Sequence, residues 1–395
     1  MKFLLIYVPN LRFREFHTEW KKIQIGNLIK ERKEYTSDFK KYPLYSFTIE
    51  SGITPKSDRY ERSFLVKKEG DLFKLVHQND FVMNPMNLRF GAINYSKINQ
   101  IVSVSGYYDI FTIDACKYNE FWNAYLKTPR MLYTYNTIAT GSLVEKKRVY
   151  FKQLKELKMC IPSEMEKSKI NEFINLLNER IQTQSKIINA LDSQRKCIFL
   201  KVHRAQSLKK IKIFELGRMI AANNLSKDEL SIKGNECILY GELFTKYNLY
   251  IDNVISKTEK IDNAIISSGN DILFPTSTTV DAFSLIKPSA LIKKGVILGG
   301  DMFSIKLKDD YNPIYISCLI NFIYRKKFAS KTQGSTIIHL HYRDIKNEVI
   351  EICDYEIQCK IANLIESITE KLKVEEELLN LLYIQKSYLL QNMFI

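Results

Sequence analysis

The chain has 395 residues, of which 45% are hydrophobic and 26% are charged. This composition excludes a disordered chain, and the length is sufficient for two to three domains that bury cores without disulfide bonds. The formal net charge of +15 favours a polyanionic partner, either a nucleic acid or an acidic membrane surface. The seven cysteines are scattered without a CxxC motif, which argues for a reducing cytoplasm and against a disulfide framework or a zinc site.

The chain begins with a short apolar run over residues 3–8 that resembles the core of a signal peptide. This run reaches Pro9 and Arg12 without a small-residue cleavage site, so we do not expect an export signal. The longest later apolar stretch, residues 313–324, is interrupted by polar residues and is too short to span a bilayer. The sequence therefore predicts a cytoplasmic protein with no membrane partner.

Four segments are predicted in chain order, and together they indicate an α+β fold. We expect a globular domain over residues 1–160, a long helix over 161–205, a second globular domain over 206–353 and a second long helix over 354–395. Short strand-like runs, aromatic residues and turn residues alternate within both globular segments.

The first globular segment contains three clusters with the composition of a DNA-contacting surface. Cations and hydroxyl groups suit phosphates, whereas amides and arginine suit base edges. The candidate DNA-binding residues of these clusters are Lys56, Ser57, Arg59, Tyr60, Arg62, Asn84, Asn87, Arg89, Ser142, Lys146, Lys147 and Arg148. Each cluster taken singly is better explained as an ordinary solvated loop.

Both long helices are predicted from an apolar seam in which spacings of three and four residues alternate. Such an a/d pattern, sustained for about four heptads, is typical of a helix that packs against another helix. Ser163 and Asp354 are suitable N-caps for the two helices. The seam is broken by polar residues at equivalent positions, Gln184 and Arg195 in the first helix and Glu375 and Lys386 in the second. The alternative is that each helix packs separately on its own globular domain.

The second globular segment repeats the pattern of polar loops. Its candidate DNA-binding residues are Ser277, Thr278, Thr279, Lys331, Gln333, Ser335, Thr336, His339 and His341. The recurrence of such loops at similar places in both segments supports DNA contact more than any one loop does. The two histidines would lie on one side of a strand, and because no third ligand is evident, contact with solvent or phosphate is favoured over a metal site.

An internal repeat relates the two halves of the chain. The helices align without a gap at an offset of 191 residues, so that Lys169-Ile170 matches Lys360-Ile361. Fainter matches relate residues 20–28 to residues 208–216 and residues 79–82 to residues 270–273. A pseudo-symmetric chain of this kind is suited to a target that has repeated parts.

The sequence lacks the motifs of common nucleotide-dependent enzymes. It contains neither GxxxxGK[ST] nor GxGxxG, so no phosphate-binding loop and no dinucleotide or methyl-donor pocket is predicted. Residues 84–87 resemble the Asn-Pro-Pro-aromatic motif of amino-methyltransferases but lack the second proline and the aromatic residue. Residues 145–147 fit only a fragment of a nuclease site. We therefore expect no catalytic residues, no metal site and no bound cofactor in this chain.

The opening residues Pro9, Leu11, Arg12, Phe13, Phe16 and Trp20 are similar to the N-terminal motif of the specificity (S) subunits of type I restriction-modification systems. Residues 45–53, 79–82 and 91–93 resemble one kind of target recognition domain, and residues 234–240 and 334–340 resemble a second kind. The resemblance covers almost the whole chain, and the order of domains and paired helices is its most specific part. Leu208 departs from the pattern, because it stands where the first domain has Trp20.

The resemblance implies that the globular segments are two target recognition domains in tandem, each reading half of a split DNA site in the major groove. It implies that the helices form an antiparallel coiled-coil spacer and dock two adenine methyltransferase (modification) subunits. Restriction subunits with motor and nuclease activity would complete the complex. These partners would use S-adenosylmethionine, ATP and Mg, while this chain would be a sequence-specific DNA-binding subunit and not an enzyme.

Antiparallel packing of the helices is also favoured by geometry, since parallel helices would place both globular segments at the same end. A helix of roughly 38 residues is about 57 Å long at about 1.5 Å per residue. Because a DNA turn is about 34–36 Å, untouched base pairs would separate the two half-sites. A seam centred near Asn189 and Asn380 would bring Arg195 close to Glu375 and Gln184 close to Lys386, whereas a seam centred nearer residue 182 would overlap more of both helices.

Two other functions fit the same sequence. The recognition subunit of a related type II methyltransferase-nuclease system would read DNA in the same way with a different partner. From a different class, a non-enzymatic coiled-coil adaptor would use its basic domains to bind RNA or protein, although the aromatic motifs of the usual RNA-binding sheet are missing. A methyltransferase gene next to this one would favour the first interpretation.

Overall fold

The computed structural model describes residues 8–49, 52–55, 72–143, 146–222, 225–261 and 264–395. The chain divides into two compact units, the first formed by Met1–Ser185 with Glu377–Ile395 and the second by Lys186–Glu376. Each unit therefore contains one globular domain and a part of each long helix. Among the described residues, no helix has both the length and the apolar character needed to cross a bilayer.

The first unit is built on a four-stranded antiparallel sheet of order β2-β10-β7-β8. Its strands are β1 (Lys21–Gln24), β2 (Ile29–Glu31), β3 (Tyr35–Thr36), β4 (Tyr45–Thr48), β5 (Gly52–Pro55), β6 (Phe73–Val76), β7 (Phe81–Met83), β8 (Ile93–Tyr95), β9 (Val102–Val104), β10 (Asp109–Ile113) and β11 (Lys158–Ile161). Its helices are α1 (Asn119–Tyr125), α2 (Pro129–Ile138), α3 (Phe151–Glu156) and the start of α4 (Glu164–Arg204).

The central strand β7 is buried on both faces because the sheet lies between two apolar clusters. Phe81 and Met83 belong to the large cluster that also contains Ile174 of α4, and Val82 belongs to a smaller cluster with Ile110. Successive side chains of a strand point to opposite faces, so an uninterrupted apolar run is what a strand in this position requires. The large cluster joins the globular domain to the long helix.

The N-terminal motif packs on the first turn of α4. Arg12 donates to Glu166 Oε1 and Oε2 through Nε and Nη2, both at 2.7 Å, and the indole Nε1 of Trp20 donates to the same carboxylate at 3.3 Å. The Glu166 side chain is only 1% exposed. The motif by which the chain resembles the S subunits thus has a structural role, since it satisfies a buried carboxylate at the helix start.

The second unit is built on a five-stranded sheet of order β13-β23-β19-β21-β16, with a second sheet of order β14-β17-β15-β22-β18. Its strands are β12 (Lys209–Lys212), β13 (Gly217–Ala221), β14 (Leu230–Ser231), β15 (Asn235–Leu239), β16 (Tyr250–Ile251), β17 (Ser256–Thr258), β18 (Ile266–Ser268), β19 (Asp271–Pro275), β20 (Ser277–Thr278), β21 (Ser289–Leu291), β22 (Lys294–Gly299), β23 (Met302–Leu307), β24 (Ile338–His339) and β25 (Val349–Ile352). Its helices are α5 (Ile213–Leu216), α6 (Glu242–Thr245), α7 (Ala282–Leu285), α8 (Pro313–Leu319), α9 (Arg325–Ala329), α10 (Tyr342–Ile345) and the start of α11 (Tyr355–Met393).

The faint repeat of the globular segments corresponds to a repeat in three dimensions. Residues 21–24 form β1, which pairs with β11 just before α4, and residues 209–212 form β12, which pairs with β25 just before α11. The sheet order β2-β10-β7-β8 in the first unit matches β13-β23-β19-β21 in the second. The α+β fold with two similar halves, which the sequence predicted, is therefore confirmed.

The two long helices pack against each other and run antiparallel within each unit. In the first unit, Lys386 Nζ of α11 donates to Asn178 Oδ1 of α4 at 2.6 Å. In the second unit, Arg195 Nη1 of α4 donates to Thr369 Oγ1 of α11 at 3.0 Å. These two hydrogen bonds occupy equivalent positions at the offset of 191 residues, as an antiparallel pseudo-symmetric pair requires.

The predicted seam is confirmed, but the register proposed for it is wrong. Thr369, the observed partner of Arg195, lies six residues before Glu375, and Asn178, the observed partner of Lys386, lies six residues before Gln184. The predicted register, centred near Asn189, would have paired the opposite charges of Arg195 and Glu375. The observed register instead overlaps more of both apolar seams, and burial of several isoleucine and leucine side chains outweighs one ion pair.

Candidate nucleic-acid interface

In the first unit, the loop that follows β7 is held in a fixed shape by its own hydrogen bonds. Asn84 Oδ1 accepts from the backbone N–H of Met86 at 3.1 Å, and the Asn84 N–H donates to the carbonyl of Ala92 at 3.0 Å. A short 3-10 helix over Leu88–Phe90 ends at Gly91, whose φ of 86° favours glycine. The loop exposes Asn87 and Phe90 and leaves Arg89 partly exposed.

A second loop of the first unit meets the first. Thr140 and Arg148 exchange two backbone hydrogen bonds of 2.9 Å, which closes the loop between them. The N–H of Val149 then donates to the carbonyl of Pro85 at 3.0 Å, so this loop is tied to the loop after β7. The sequence candidates at positions 84–89 and 142–148 therefore belong to two joined loops.

The joined loops combine cations with exposed aromatic rings. The guanidinium carbon of Arg148 lies 5.3 Å from the centroid of the half-exposed Tyr107 ring. Arg89 Nη1 donates to Asn136 Oδ1 of α2 at 3.2 Å and stacks over Phe90 at 5.0 Å. Because a guanidinium group presents several N–H donors in a planar fork, the arrangement suits phosphates and base edges.

In the second unit, the loop after β19 also lies beside a second loop, which runs between Gln333 and His339. Strand β20 pairs antiparallel with β24, so that Ser277 lies opposite His339. Gln333 and His339 exchange backbone hydrogen bonds of 2.9 and 2.7 Å, which closes the intervening loop. Gly334 permits this closure, because its φ is 104° and a Cβ would lie 2.1 Å from the carbonyl oxygen of Ile337.

In each unit, therefore, the loop that follows the inner strand β7 or β19 is hydrogen-bonded to a second loop. That second loop is closed by a backbone bridge. The bridges occupy similar places in the chain, Thr140–Arg148 between α2 and α3 and Gln333–His339 between α9 and α10. The sequence candidates among the described residues are thus brought together within each unit. Residues Lys56, Ser57, Arg59, Tyr60 and Arg62 lie outside the described residues.

The candidates of the second unit differ in how available their side chains are. Thr279, Ser335, Thr336 and His341 are exposed. Thr278 and His339 are partly exposed, and the rings of His339 and His341 stack with centroids 6.1 Å apart. Gln333 is exposed but donates to Asp344 Oδ1 at 3.3 Å, and the amine of Lys331 is paired with Glu348 at 2.7 Å.

The placement of Ser277 on a contact surface is a correction to the sequence interpretation. Ser277 is buried, and its hydroxyl donates to Asp301 Oδ2 at 3.2 Å. This side chain therefore stabilises the loop from the protein interior. The local composition of Thr276–Thr279 gave no sign of Asp301, which comes from a turn distant in sequence. Within the described parts of the chain, no three His, Cys, Asp or Glu side chains are grouped as metal ligands would be.

Sequence reasoning missed residues that join these loops from other segments. In the first unit these are Tyr107 and Asn136, which contact Arg148 and Arg89. In the second unit, Arg343 follows the loop candidates and is exposed beside a shallow cavity of about 340 Å³ that Thr276 and His341 also line. No motif marks these residues, because only the folded chain brings them next to the loops.

Comparison with known proteins connects this architecture to one family. Residues 207–383 match the family described as Type I restriction modification DNA specificity domain. No curated protein matches the sequence significantly.

Solved structures with the same fold cover nearly the entire chain. The S subunit of a type I restriction-modification system from M. genitalium has a TM-score of 0.56 at 13% identity, covering 98% of this chain and 99% of that chain. A chain from a structure describing complex assembly and conformational transition of the type I R-M system has a TM-score of 0.55 at 10% identity, covering 95% and 97%. Residues 207–383 are thus similar to the type I restriction modification DNA specificity domain, and the chain as a whole shares the fold of these solved structures.

Proposed function

We propose that this chain is the sequence-specific DNA-binding subunit of a type I restriction-modification complex, with each globular domain reading one half of a bipartite site. The observation that carries the proposal is the duplicated pair of joined loops, which repeats the same polar surface in both units. The net charge of +15 supports a polyanionic ligand, because release of counterions from phosphates drives such binding.

In the first unit, we assign base contacts and phosphate contacts to different residues according to the chemistry of their side chains. Arg89, Asn84 and Asn87 read base edges, because guanidinium and amide groups form paired hydrogen bonds with guanine and adenine. Lys146, Lys147 and Arg148 contact phosphates and, with Ser142, set the position of the domain on the duplex. Lys56, Ser57, Arg59, Tyr60 and Arg62 remain candidates for further DNA contacts.

In the second unit, Gln333 is the proposed base reader, since its amide is exposed and matches adenine. Thr278, Thr279, Ser335 and Thr336 supply hydroxyl groups that suit phosphates or bases. The remaining contacts are proposed for Lys331, His339 and His341, with Arg343 added from the structure. Because the amine of Lys331 is paired with Glu348, we expect this domain to rely more on neutral donors.

We also propose that the helices dock two methyltransferase (modification) subunits, which in turn recruit restriction subunits. The exposed side chains of Leu378, Leu381, Ile384 and Tyr388 in the first unit support a protein partner. Their spacings of three and four residues place them on one face of α11, and such an exposed apolar stripe is suited to protein contact. The partners would carry the chemistry and use S-adenosylmethionine, ATP and Mg.

The proposal is tested by sequencing the methylome of a host that expresses the adjacent methyltransferase gene with or without this chain. We expect an adenine-methylated bipartite motif only when both proteins are present. The purified chain alone should neither methylate nor cleave DNA nor hydrolyse ATP. An unchanged methylome, together with no DNA binding by the purified pair at low salt, would rule out the proposed function.

A further inference from the structure

A polar cavity of about 280 Å³ lies in the first unit, away from the joined loops. It is enclosed by the end of α1, the start of α2 and the facing segments of α4 and α11. Its polar lining includes Glu120, Asn123, Lys127, Asn178, Lys386 and Gln391. At about 30 Å³ per water molecule, the volume is sufficient for several waters or for a small ion with part of its hydration shell.

Two lysine amines in this cavity lack a carboxylate of their own. Within the described part of the chain, Lys127 Nζ has no hydrogen-bond or ion-pair partner. Lys386 Nζ donates to Asn178 Oδ1 at 2.6 Å, which is a neutral amide oxygen. The cavity therefore holds two positive charges that the protein itself does not neutralise by direct contact.

The single carboxylate that lines the cavity is already committed to other donors. Glu120 Oε1 accepts from the hydroxyl of Tyr95 at 2.8 Å and also from the amine of Lys97. Glu120 Oε2 accepts from Asn178 Nδ2 at 3.0 Å. The charged groups that line the cavity are thus two lysines and one glutamate, and because that glutamate is also paired with Lys97, an excess of positive charge remains.

The excess positive charge is unfavourable because both lysine amines are largely buried. Burial, and next repulsion from Lys386, lower the pKa of Lys127 to about 8. Burial also lowers the pKa of Lys386, although attraction from Glu120 opposes the change. Buried lysine amines of this kind gain most when an anion enters, because an opposite charge favours their charged forms.

At the corresponding place in the second unit, the cation of the helix pair is neutralised by a carboxylate. Arg195, the equivalent of Lys386, forms an ion pair with Asp192 at 2.5 Å. The residue two positions after α8 is Asn321, whose amide donates to the carbonyls of Pro288 and Ser317. The residue two positions after α1 is Lys127. Lys127 thus has a neutral counterpart in Asn321, although the cavity at this place in the second unit also contains Lys287 and Arg325, which donate to the backbone carbonyls of Phe244 and Phe283.

We propose that the cavity of the first unit binds a small oxyanion, a phosphate or carboxylate group, between the amines of Lys127 and Lys386. The proposal does not depend on DNA reading, because the cavity lies on α1, α2 and the helix pair. A bound oxyanion would join the globular domain to both long helices through charge-assisted hydrogen bonds. Occupancy should therefore also raise the melting temperature of the first unit.

The test is calorimetric titration of the full chain with sulfate, whose charge is constant across the pH range of interest. We expect one saturable site, and Lys127→Met and Lys386→Met should each weaken binding by roughly tenfold or more, since each removes a charged donor. Lys152→Met, which removes an exposed charge of α3 in the same unit, should leave the affinity unchanged. Binding that does not saturate, or that is lost equally in Lys152→Met, would overturn the proposal.

The pH dependence provides a second, independent readout. Between pH 7 and pH 9 the sulfate affinity should fall by roughly tenfold, because Lys127 with a pKa of about 8 loses its proton in the free protein. Lys127→Met should abolish this dependence even if Lys386→Met does not fold. Saturation by acetate as well as sulfate would assign a carboxylate ligand, and saturation by sulfate alone a phosphate group. An affinity that is the same at both pH values would contradict the site.

Discussion

The starts of the two long helices show how duplicated parts of one chain can keep a fold while changing its chemistry. In the first unit, Glu166 in the first turn of α4 is buried against Arg12 and Trp20. The equivalent residue of α11 is Ile357, which packs on the apolar cluster that Leu208 also contacts. The second unit therefore lacks both the indole N–H of Trp20, which Leu208 replaces, and the carboxylate of Glu166 that accepts its hydrogen bond. One position is ionic and the other apolar, yet both fix a strand pair to a helix start.

A second buried link shows the same exchange one residue later. Lys167 Nζ donates to Asp114 Oδ2 at 2.7 Å, which ties the end of β10 to α4. The equivalent residue, Gln358, accepts from the N–H of Asn312 at 3.0 Å and donates to the carbonyl of Cys353 at 2.8 Å. A neutral amide thus makes in the second unit a connection that a charged amine makes in the first. The comparison indicates that the duplicated architecture depends on position and burial rather than on one kind of polar contact.

The largest effect is expected from breaking the ionic helix start. Arg12→Ala should lower the free energy of unfolding of the first unit by about 3–5 kcal/mol, because Glu166 would remain buried without its partner. Both tryptophans of the chain, Trp20 and Trp122, lie in the first unit, so tryptophan fluorescence during urea unfolding reports on this unit.

The double variant Arg12→Leu with Glu166→Ile is the matched control, because it imitates the apolar arrangement of the second unit. It should recover most of the lost stability, since replacing a buried ion pair by apolar residues is often neutral. If the double variant were as unstable as Arg12→Ala, the ionic and apolar helix starts would not be interchangeable.

The next effect concerns the two proposed DNA readers. Arg89→Ala should cost about 1–3 kcal/mol of discrimination in the half-site read by the first domain, and Gln333→Ala should do the same for the other half-site. The methylated motif of a host carrying each variant is the measurement. Arg89→Lys is the control that keeps the charge but loses the paired hydrogen bonds. Alteration of both half-sites by one substitution would contradict independent reading by the two domains.

A smaller effect is expected for a cation that contacts phosphates without reading bases. Lys146→Ala should weaken binding about equally to all DNA sequences and reduce the salt dependence of log Kd by about one unit. Binding isotherms between low and moderate salt measure both quantities, with Lys152→Ala as a control outside the joined loops. A sequence-selective loss would instead assign Lys146 to base reading.

Much of the fold could be predicted because it depends on local or repeated patterns. The a/d spacing predicted both helices, and Ser163 does cap α4, with its hydroxyl accepting from the N–H of Glu166 at 3.3 Å. The match of residues 20–28 with 208–216 predicted two equivalent strands. These features follow from periodicity and from side chains close in sequence, which a single sequence records directly.

The remaining features depend on contacts between distant segments. The register was mispredicted because pairing Arg195 with Glu375 considered charge and not the overlap of the seams. Ser277 was assigned to the surface because its contact with Asp301 cannot be read from neighbouring residues. The cavity is lined by Lys127 and Lys386, which are far apart in the sequence, and no local pattern connects them.

The smallest effect is a pH dependence that should distinguish the first unit from the second. Burial lowers the folded-state pKa of Lys127 to about 8 from its ordinary value of 10.5, so the unfolded chain binds its proton more tightly. Below pH 8 both states are charged and the full cost of burying the ammonium group is present. As the pH rises above 8, the folded state releases the proton first, and this residue's contribution to the free energy of unfolding becomes less unfavourable.

In anion-free buffer, Lys127→Met should therefore be more stable than the natural chain at pH 7, and the difference should shrink by pH 9.5. Tryptophan fluorescence during urea unfolding at both pH values measures it, because both tryptophans lie in the first unit. A stability difference that stays constant with pH would mean that Lys127 is not held as a destabilised cation.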